Sequence, residues 1–293
     1  MMKGTDTTIQ SKAYGFPQIL ADIPDPPAQI HVRSRCWPQI LQQPAVAVVG
    51  SRKVSSYGRA ATGQLVRDLV RAGICIVSGL AIGVDAIAHR AALEAKGTTI
   101  AVLATGLDMI YPSVHHQLAE DIVQQGGALI TEYEAGSTLY RSRFVARNRL
   151  VSGLSQLTLI TEAAKKSGTL HTASFALEQG RDVAAVPGPI TSPTSQGTNQ
   201  LIKTGALLVS DAGDILQALG IKPDPKTSAA AKPAGETPAQ QTILSLLQAG
   251  ISDGATLLQR SQMPTNQFNQ TITMLEIAGD IVALGNNHWA VHQ

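Results

Sequence analysis

Along the first two thirds of the chain, short aliphatic and β-branched runs alternate with segments whose apolar positions recur at helical spacing. The runs fall at residues 45–49, 74–77, 99–103, 128–131, 156–161, 182–186 and 206–209 and are apolar almost throughout, as strands buried on both faces read. Between the first two runs, Ala61, Leu65, Val66, Leu69 and Val70 fall on one side of a helix and Arg59, Arg67 and Arg71 on the other, with Gly73 closing it. Segments 85–95, 114–125 and 169–179 repeat the theme. Alternation of this kind is the signature of repeated βαβ units. The pattern predicts a doubly wound α/β domain with seven strands in a mainly parallel sheet, and no period of solenoid length recurs.

After residue 221 the pattern changes. Residues 222–237 are rich in Pro, Ala and Lys without an apolar period and read as a linker. Beyond it, helices are predicted at 239–248, 255–260 and 264–278, and strands at 280–284 and 288–291 can pair around Gly285-Asn286-Asn287. Three helices and a hairpin form a winged-helix module. The predicted organisation is a lead-in segment (1–40), the α/β domain (41–221), the linker (222–237) and the winged helix (238–293).

Composition narrows the class. With 44% apolar, 4% aromatic and 15% charged residues over 293 positions, disorder, collagen-like repeats and coiled coil are excluded as the main architecture. Apolar runs such as 45–49 and 100–104 are far shorter than the roughly 20 residues a membrane span needs. The first residues carry no apolar secretory core, so a cytoplasmic address is expected. Cys75 lies inside an apolar run and reads as a buried thiol, and with only Cys36 beside it no disulfide is expected. Net charge is +2, but from Glu236 onward Arg260 stands alone against Glu236, Asp253, Glu276 and Asp280, a balance of −3 that leaves 22 basic and 17 acidic residues, or +5, for the rest. One cation is little for holding phosphates, so the winged helix reads as a protein-contact or structural module rather than a DNA reader.

In open α/β sheets ligands gather beyond the carboxyl ends of the strands. The turns expected there are Gly50-Ser51-Arg52-Lys53, the stretch from Ser78 to Asp85, Thr105-Gly106-Leu107-Asp108, the stretch from Glu162 to Thr169, and Pro187-Gly188-Pro189-Ile190. Glycine and hydroxyl groups recur in them, supplying donors for phosphate oxygens, although any single turn could use glycine for backbone reasons alone. Neither a Gly-x-Gly-x-x-Gly fingerprint nor a Walker loop occurs. The second feature is Arg141-Ser142-Arg143-Phe144-Val145-Ala146-Arg147-Asn148-Arg149, within a stretch (135–161) free of Asp and Glu. Cations along a backbone and a ring beneath a base are what hold an unpaired strand; Phe144 serves either that role or as a core anchor. Asp85 and His89, one helical turn apart, read as a helix-start acid and a surface histidine, because no nucleophile adjoins them. His115-His116 lacks the spacing of a metal pair, and neither metal, cofactor nor catalytic residue is expected.

These strings carry a resemblance. VVGSRKVSSYG (48–58), SGLAIGVDAIAHRAAL (78–93), TGLDMIYP (105–112), FVARNRLVSGLS (144–155), EAAKKSGTLHTASFALEQGRDVAAVPG (162–188) and GTNQLIKTGA (197–206), in this order, resemble the DNA processing protein A family (DprA, also called Smf). The likeness runs from about Tyr14 to Leu219, with a family-like winged helix after it. The resemblance implies an extended Rossmann-like domain that binds single-stranded DNA without cleaving it, forms a homodimer and helps load the RecA recombinase during natural transformation. It implies that Arg52 contacts phosphate, Phe144 stacks a base, and Arg141 and Asn148 flank the strand. Lys165, Lys166 and Ser167 would hold the next phosphates, with Lys203 a weaker candidate. Together with the turn and charge arguments, the expected DNA-binding set is Gly50, Ser51, Arg52, Lys53, Arg141, Arg143, Phe144, Arg147, Asn148, Lys165, Lys166, Ser167, Gly168 and Lys203.

Three departures stand out. Many family members carry an N-terminal helical domain of SAM or helix-hairpin-helix type, and about a dozen residues precede Tyr14 here. The family usually has Pro after the stacking Phe, where this chain has Val145, and Ile where it has Val84. The rival reading is a nucleoside-monophosphate phosphoribohydrolase of the related lysine-decarboxylase-like fold. That chemistry uses a Pro-Gly-Gly-x-Gly-Thr-x-x-Glu loop, of which residues 164–172 keep Gly168-Thr169 but neither the paired glycines nor the acid.

Overall fold

The computed structural model describes residues 4–221, 237–285 and 287–291 and divides into two compact units, Met1–Thr227 and Ser228–Gln293. The expected linker at 222–237 lies outside the described residues apart from Thr237.

In chain order the first unit comprises β1 (Thr5–Gln10), α1 (Gln18–Ala21), β2 (Gln29–Ser34), β3 (Ala45–Gly50), α2 (Ser56–Arg71), β4 (Cys75–Ser78), α3 (Val84–Glu94) and β5 (Thr99–Val102). There follow α4 (His116–Gln124), β6 (Ala128–Thr131), α5 (Arg141–Gly153), β7 (Leu157–Glu162), α6 (Thr169–Glu178), β8 (Asp182–Ala185), α7 (Gln196–Lys203), β9 (Leu207–Leu208) and α8 (Ala212–Ala218). The sheet has nine strands in the order β1-β2-β6-β5-β4-β3-β7-β8-β9. From β6 to β9 every pairing is parallel. β1 and β2 add an antiparallel edge, with β2 pairing against β6 from His31↔Thr131 to Ser34↔Ala128.

The expected seven strands are therefore two short. β1 exposes every residue except Ile9, so no apolar run announces it. β2 does alternate, burying Ile30, Val32 and Ser34, but its polar partners shorten the apolar signal to single positions.

Alternate residues of the central strands serve opposite layers. On β3, Ala45, Ala47 and Val49 join one core with Cys75, Val77, Leu150 and Val151. Val46 and Val48 join the other with Leu65, Leu69, Ile76, Leu157 and Leu159. Cys75 is a free, buried thiol whose pKa burial pushes up to about 12, so it stays protonated and inert. α2 is capped by Ser55, whose hydroxyl oxygen accepts from the Gly58 amide at 3.0 Å. It buries Leu65, Val66, Leu69 and Val70, and Gly73 beyond its end has φ +82°.

The second unit contains α9 (Pro238–Gln248), α10 (Gly254–Ser261), α11 (Thr265–Ala278) and the hairpin β10 (Ile281–Gly285) and β11 (His288–Val291). Its core gathers Ile243, Leu244, Leu247, Leu257, Phe268, Ile272, Leu275 and Ile281.

Candidate nucleic-acid interface

Strand order reverses at β3: the chain runs outward through β4, β5 and β6, then returns to lay β7 on the other flank of β3. Turns leaving β3 and β7 diverge, which opens a crevice at their carboxyl ends. Backbone bonds fix its floor. The Ser51 amide donates to the Glu162 carbonyl at 2.8 Å, and the Val84 amide donates to the Ser51 carbonyl at 3.2 Å. A Cβ on Gly50 would stand 2.7 Å from Val84 Cγ2 and 2.9 Å from the Glu162 carbonyl oxygen, so only glycine lets these turns approach so closely. The buried Glu162 carboxylate accepts from the Ser55 amide at 3.1 and 3.2 Å and from the Ser55 hydroxyl at 2.5 Å. It thereby anchors the start of α2, where the helix dipole favours negative charge.

The resulting cleft has a volume of about 500 Å³. Gly50, Ser51, Arg52 and Lys53 form one bank, Ser167 and Gly168 the other, and Phe144, Arg147 and Asn148 of α5 cross it. The sequence-expected residues Arg141, Arg143, Lys165, Lys166 and Lys203 do not line it. Lys165 and Lys166 are exposed beside Ser167, Arg141 is exposed at the start of α5, and Lys203 is exposed at the end of α7. The Arg143 guanidinium lies against two rings, 4.2 Å from the centroid of Tyr133 and 5.4 Å from that of Tyr140.

Arg52 and Lys53 are exposed, and the Arg52 guanidinium stands 5.8 Å from the Phe144 ring centroid, within cation–π range. Phe144 is partly buried. Its ring meets that of Tyr111 at 5.3 Å between centroids, tilted by 58°. Together with Gly79, Ile82 and Thr105 these residues frame a recess of about 80 Å³ opening beside the cleft. Tyr111 is 50% exposed and lies outside the residues expected from the sequence. Its sequence signal is a lone aromatic residue three positions beyond the turn at residues 105–108.

Arg147 faces inward. It is 4% exposed, and its Nη1 donates to the Gly79 carbonyl at 2.6 Å and also to the Val102 carbonyl. Burial lowers its pKa, and the neighbouring charge of Asp85 opposes that shift. Asp85 is buried as well, accepting from the Gly79 and Ala81 amides at 3.1 and 3.3 Å. Burial raises its carboxyl above the ordinary range, with Arg147 pulling the other way. These two groups brace the turn after β4 from beneath. His89, expected on the surface, is fully buried, because α3 packs its inner face into the core shared with α2. The Thr99 hydroxyl donates to the Ile76 carbonyl at 2.8 Å, so it accepts from His89 Nδ1 at 2.7 Å. That leaves Nε2 without a proton or a partner. Burial drives the His89 pKa down to about 3.

The model of the family described as DNA recombination-mediator protein A matches residues 7–220. The chain belongs to the DNA recombination-mediator protein A family. A DprA winged helix domain matches 227–287. Escherichia coli Protein Smf is 39% identical over 279 residues, covering 92% of this chain and 72% of that one. Across the curated DprA and Smf relatives it matches, the chain spans from 45% to 72% of their length. The X-ray structure of DNA processing protein A from Streptococcus pneumoniae superposes with a TM-score of 0.68 at 37% identity, covering 72% of this chain and 73% of that one. DNA processing protein A from Helicobacter pylori, a protein with a single-stranded DNA binding mode, superposes with a TM-score of 0.65 at 32% identity over 74% of this chain and 98% of that one. Among the described residues no helix is long and apolar enough to cross a membrane.

Proposed function

We propose that this DprA-family chain binds single-stranded DNA in the cleft between the β3 and β7 turns and holds it for loading of the RecA recombinase, working as a homodimer. The observation that carries the reading is the exposed Arg52 guanidinium over the face of Phe144 at the mouth of a cleft banked by Gly50-Ser51 and Ser167-Gly168. A cation, a ring and small turn residues recognise what every nucleotide has: phosphate oxygens and a π-face. None of them reads a base edge, so binding is independent of sequence. Lys53, Lys165 and Lys166 supply further positive charge at the exposed rim, with Arg141 at the start of α5 and Asn148 beneath the strand. Arg147 acts from below by fixing the turn after β4, and Lys203, at the end of α7, does not line the cleft. The H. pylori relative's single-stranded DNA binding mode supports single-stranded DNA as the ligand.

The test is a titration of labelled oligo-dT and of duplex of equal length at two salt concentrations. The expected outcome is tighter binding to oligo-dT and a steep loss of affinity as salt rises, since several phosphates are neutralised. Equal affinity for both probes, or affinity indifferent to salt, removes the mechanism.

A further inference from the structure

The Arg143 side chain is spent neither on the cleft nor on a carboxylate. Among the described residues it makes no ion pair, and its Nη1 is enclosed without a hydrogen-bond partner. Its guanidinium instead lies against two rings, 4.2 Å from the centroid of Tyr133 and 5.4 Å from that of Tyr140. Its neighbour Arg149 shows the contrast, being neutralised by Asp25 and Glu132 at 2.7 Å each. Tyr133 comes from the turn after β6, whereas Tyr140 is the residue that caps the start of α5, with extended backbone (φ −116°, ψ 144°). The Arg143 amide donates to the Tyr140 carbonyl at 3.1 Å, which fixes the backbone of the two residues in one turn. Tyr140 remains 57% exposed. A large ring backed by a cation yet open to solvent is poor packing, and it is the arrangement that presents a rigid π-face to an incoming planar group.

Its position gives that face a use. Tyr140 precedes Phe144 by four residues, about 6 Å along the axis at the helical rise, a separation that neighbouring nucleotides of an extended strand can bridge. We propose that Tyr140, braced by Arg143 and Tyr133, is a second base-stacking platform that takes a nucleotide adjacent to the one on Phe144 and extends the single-stranded DNA track from the β3–β7 cleft towards the turn after β6. The proposal rests on the reading of the cleft as a single-stranded DNA site. Glu134 is exposed in the same turn and works against phosphate attraction there, so stacking dominates at Tyr140, whereas charge dominates at Arg52.

Fluorescence anisotropy on the full chain with oligo-dT, at two salt concentrations, tests this with Tyr140→Ala, Tyr140→Phe and Phe144→Ala. Tyr140→Ala is expected to weaken binding roughly 5- to 150-fold, the range for loss of one stacked base. The factor should be the same at both salt concentrations, and Tyr140→Phe should restore wild-type affinity. A single abasic site walked along the oligonucleotide should weaken wild-type binding at two places. Tyr140→Ala should abolish the sensitivity at one of them and Phe144→Ala at the other. Wild-type affinity in Tyr140→Ala, or abasic sensitivity unchanged by it, overturns the second platform while leaving the cleft intact. Failure of the wild-type chain to bind oligo-dT at all overturns the cleft reading itself.

Discussion

At the scale of single residues, the side chains proposed to meet the strand and those that hold them obey different rules. Phe144 is only partly buried and packs at a tilt against Tyr111, so Phe144→Ala should weaken oligo-dT binding by about 1 to 3 kcal/mol while leaving the circular dichroism spectrum unchanged. A collapsed spectrum would make the ring a core anchor instead. His89 illustrates a support residue. Its folded pKa of about 3 lies below the ordinary 6.5, so its contribution to stability is fully present above pH 6.5 and is lost as pH falls towards 3, because the unfolded chain takes up the proton first. Urea unfolding at pH 7 and pH 5 should show wild type losing on the order of 2 kcal/mol that His89→Gln does not lose, at about 1.4 kcal/mol per pH unit below 6.5. Equal losses in both chains would place the titrating group elsewhere. Residue types that speak to anions were legible: Arg52, Lys53 and Ser167 stand where a strand-then-turn reading puts them. Arg147 and Arg143 read as more of the same, since a run of arginines does not reveal which guanidinium a carbonyl pair or two tyrosine rings will claim.

At the scale of elements, strands buried on both faces announce themselves and an exposed edge does not. β3, β4 and β6 lay in continuous apolar runs, whereas β1 buries Ile9 alone. α5 was hard to read for another reason. It buries Leu150 and Val151 but also Arg147, and a buried cation on the core side erases the segregation of apolar from polar positions that marks an amphipathic helix. The edge strands are nonetheless part of the fold. Ile30 of β2 is fully buried in the same core as Leu20, Leu150 and Val151. Ile30→Ala should lower unfolding free energy by about 2 to 5 kcal/mol, and a change under about 1 kcal/mol in denaturant titration would mean that β1 and β2 merely lean on the sheet.

At the scale of the whole molecule, charge is unevenly spread along the chain: +5 lies before Glu236 and −3 from there on. Arg260 is the only Lys or Arg from Glu236 to the end of the chain, which leaves the winged helix poorly equipped to neutralise phosphates. Incubation with nucleoside monophosphates should release no free base; repeated turnover would revive a hydrolase. The most direct measurement compares oligo-dT affinity of Arg52→Glu with that of Arg260→Glu at one low salt concentration. Reversing the charge over Phe144 should all but abolish binding, while reversing it on the winged helix should leave affinity near wild type. Comparable losses would contradict the account and move the DNA site off the β3–β7 cleft.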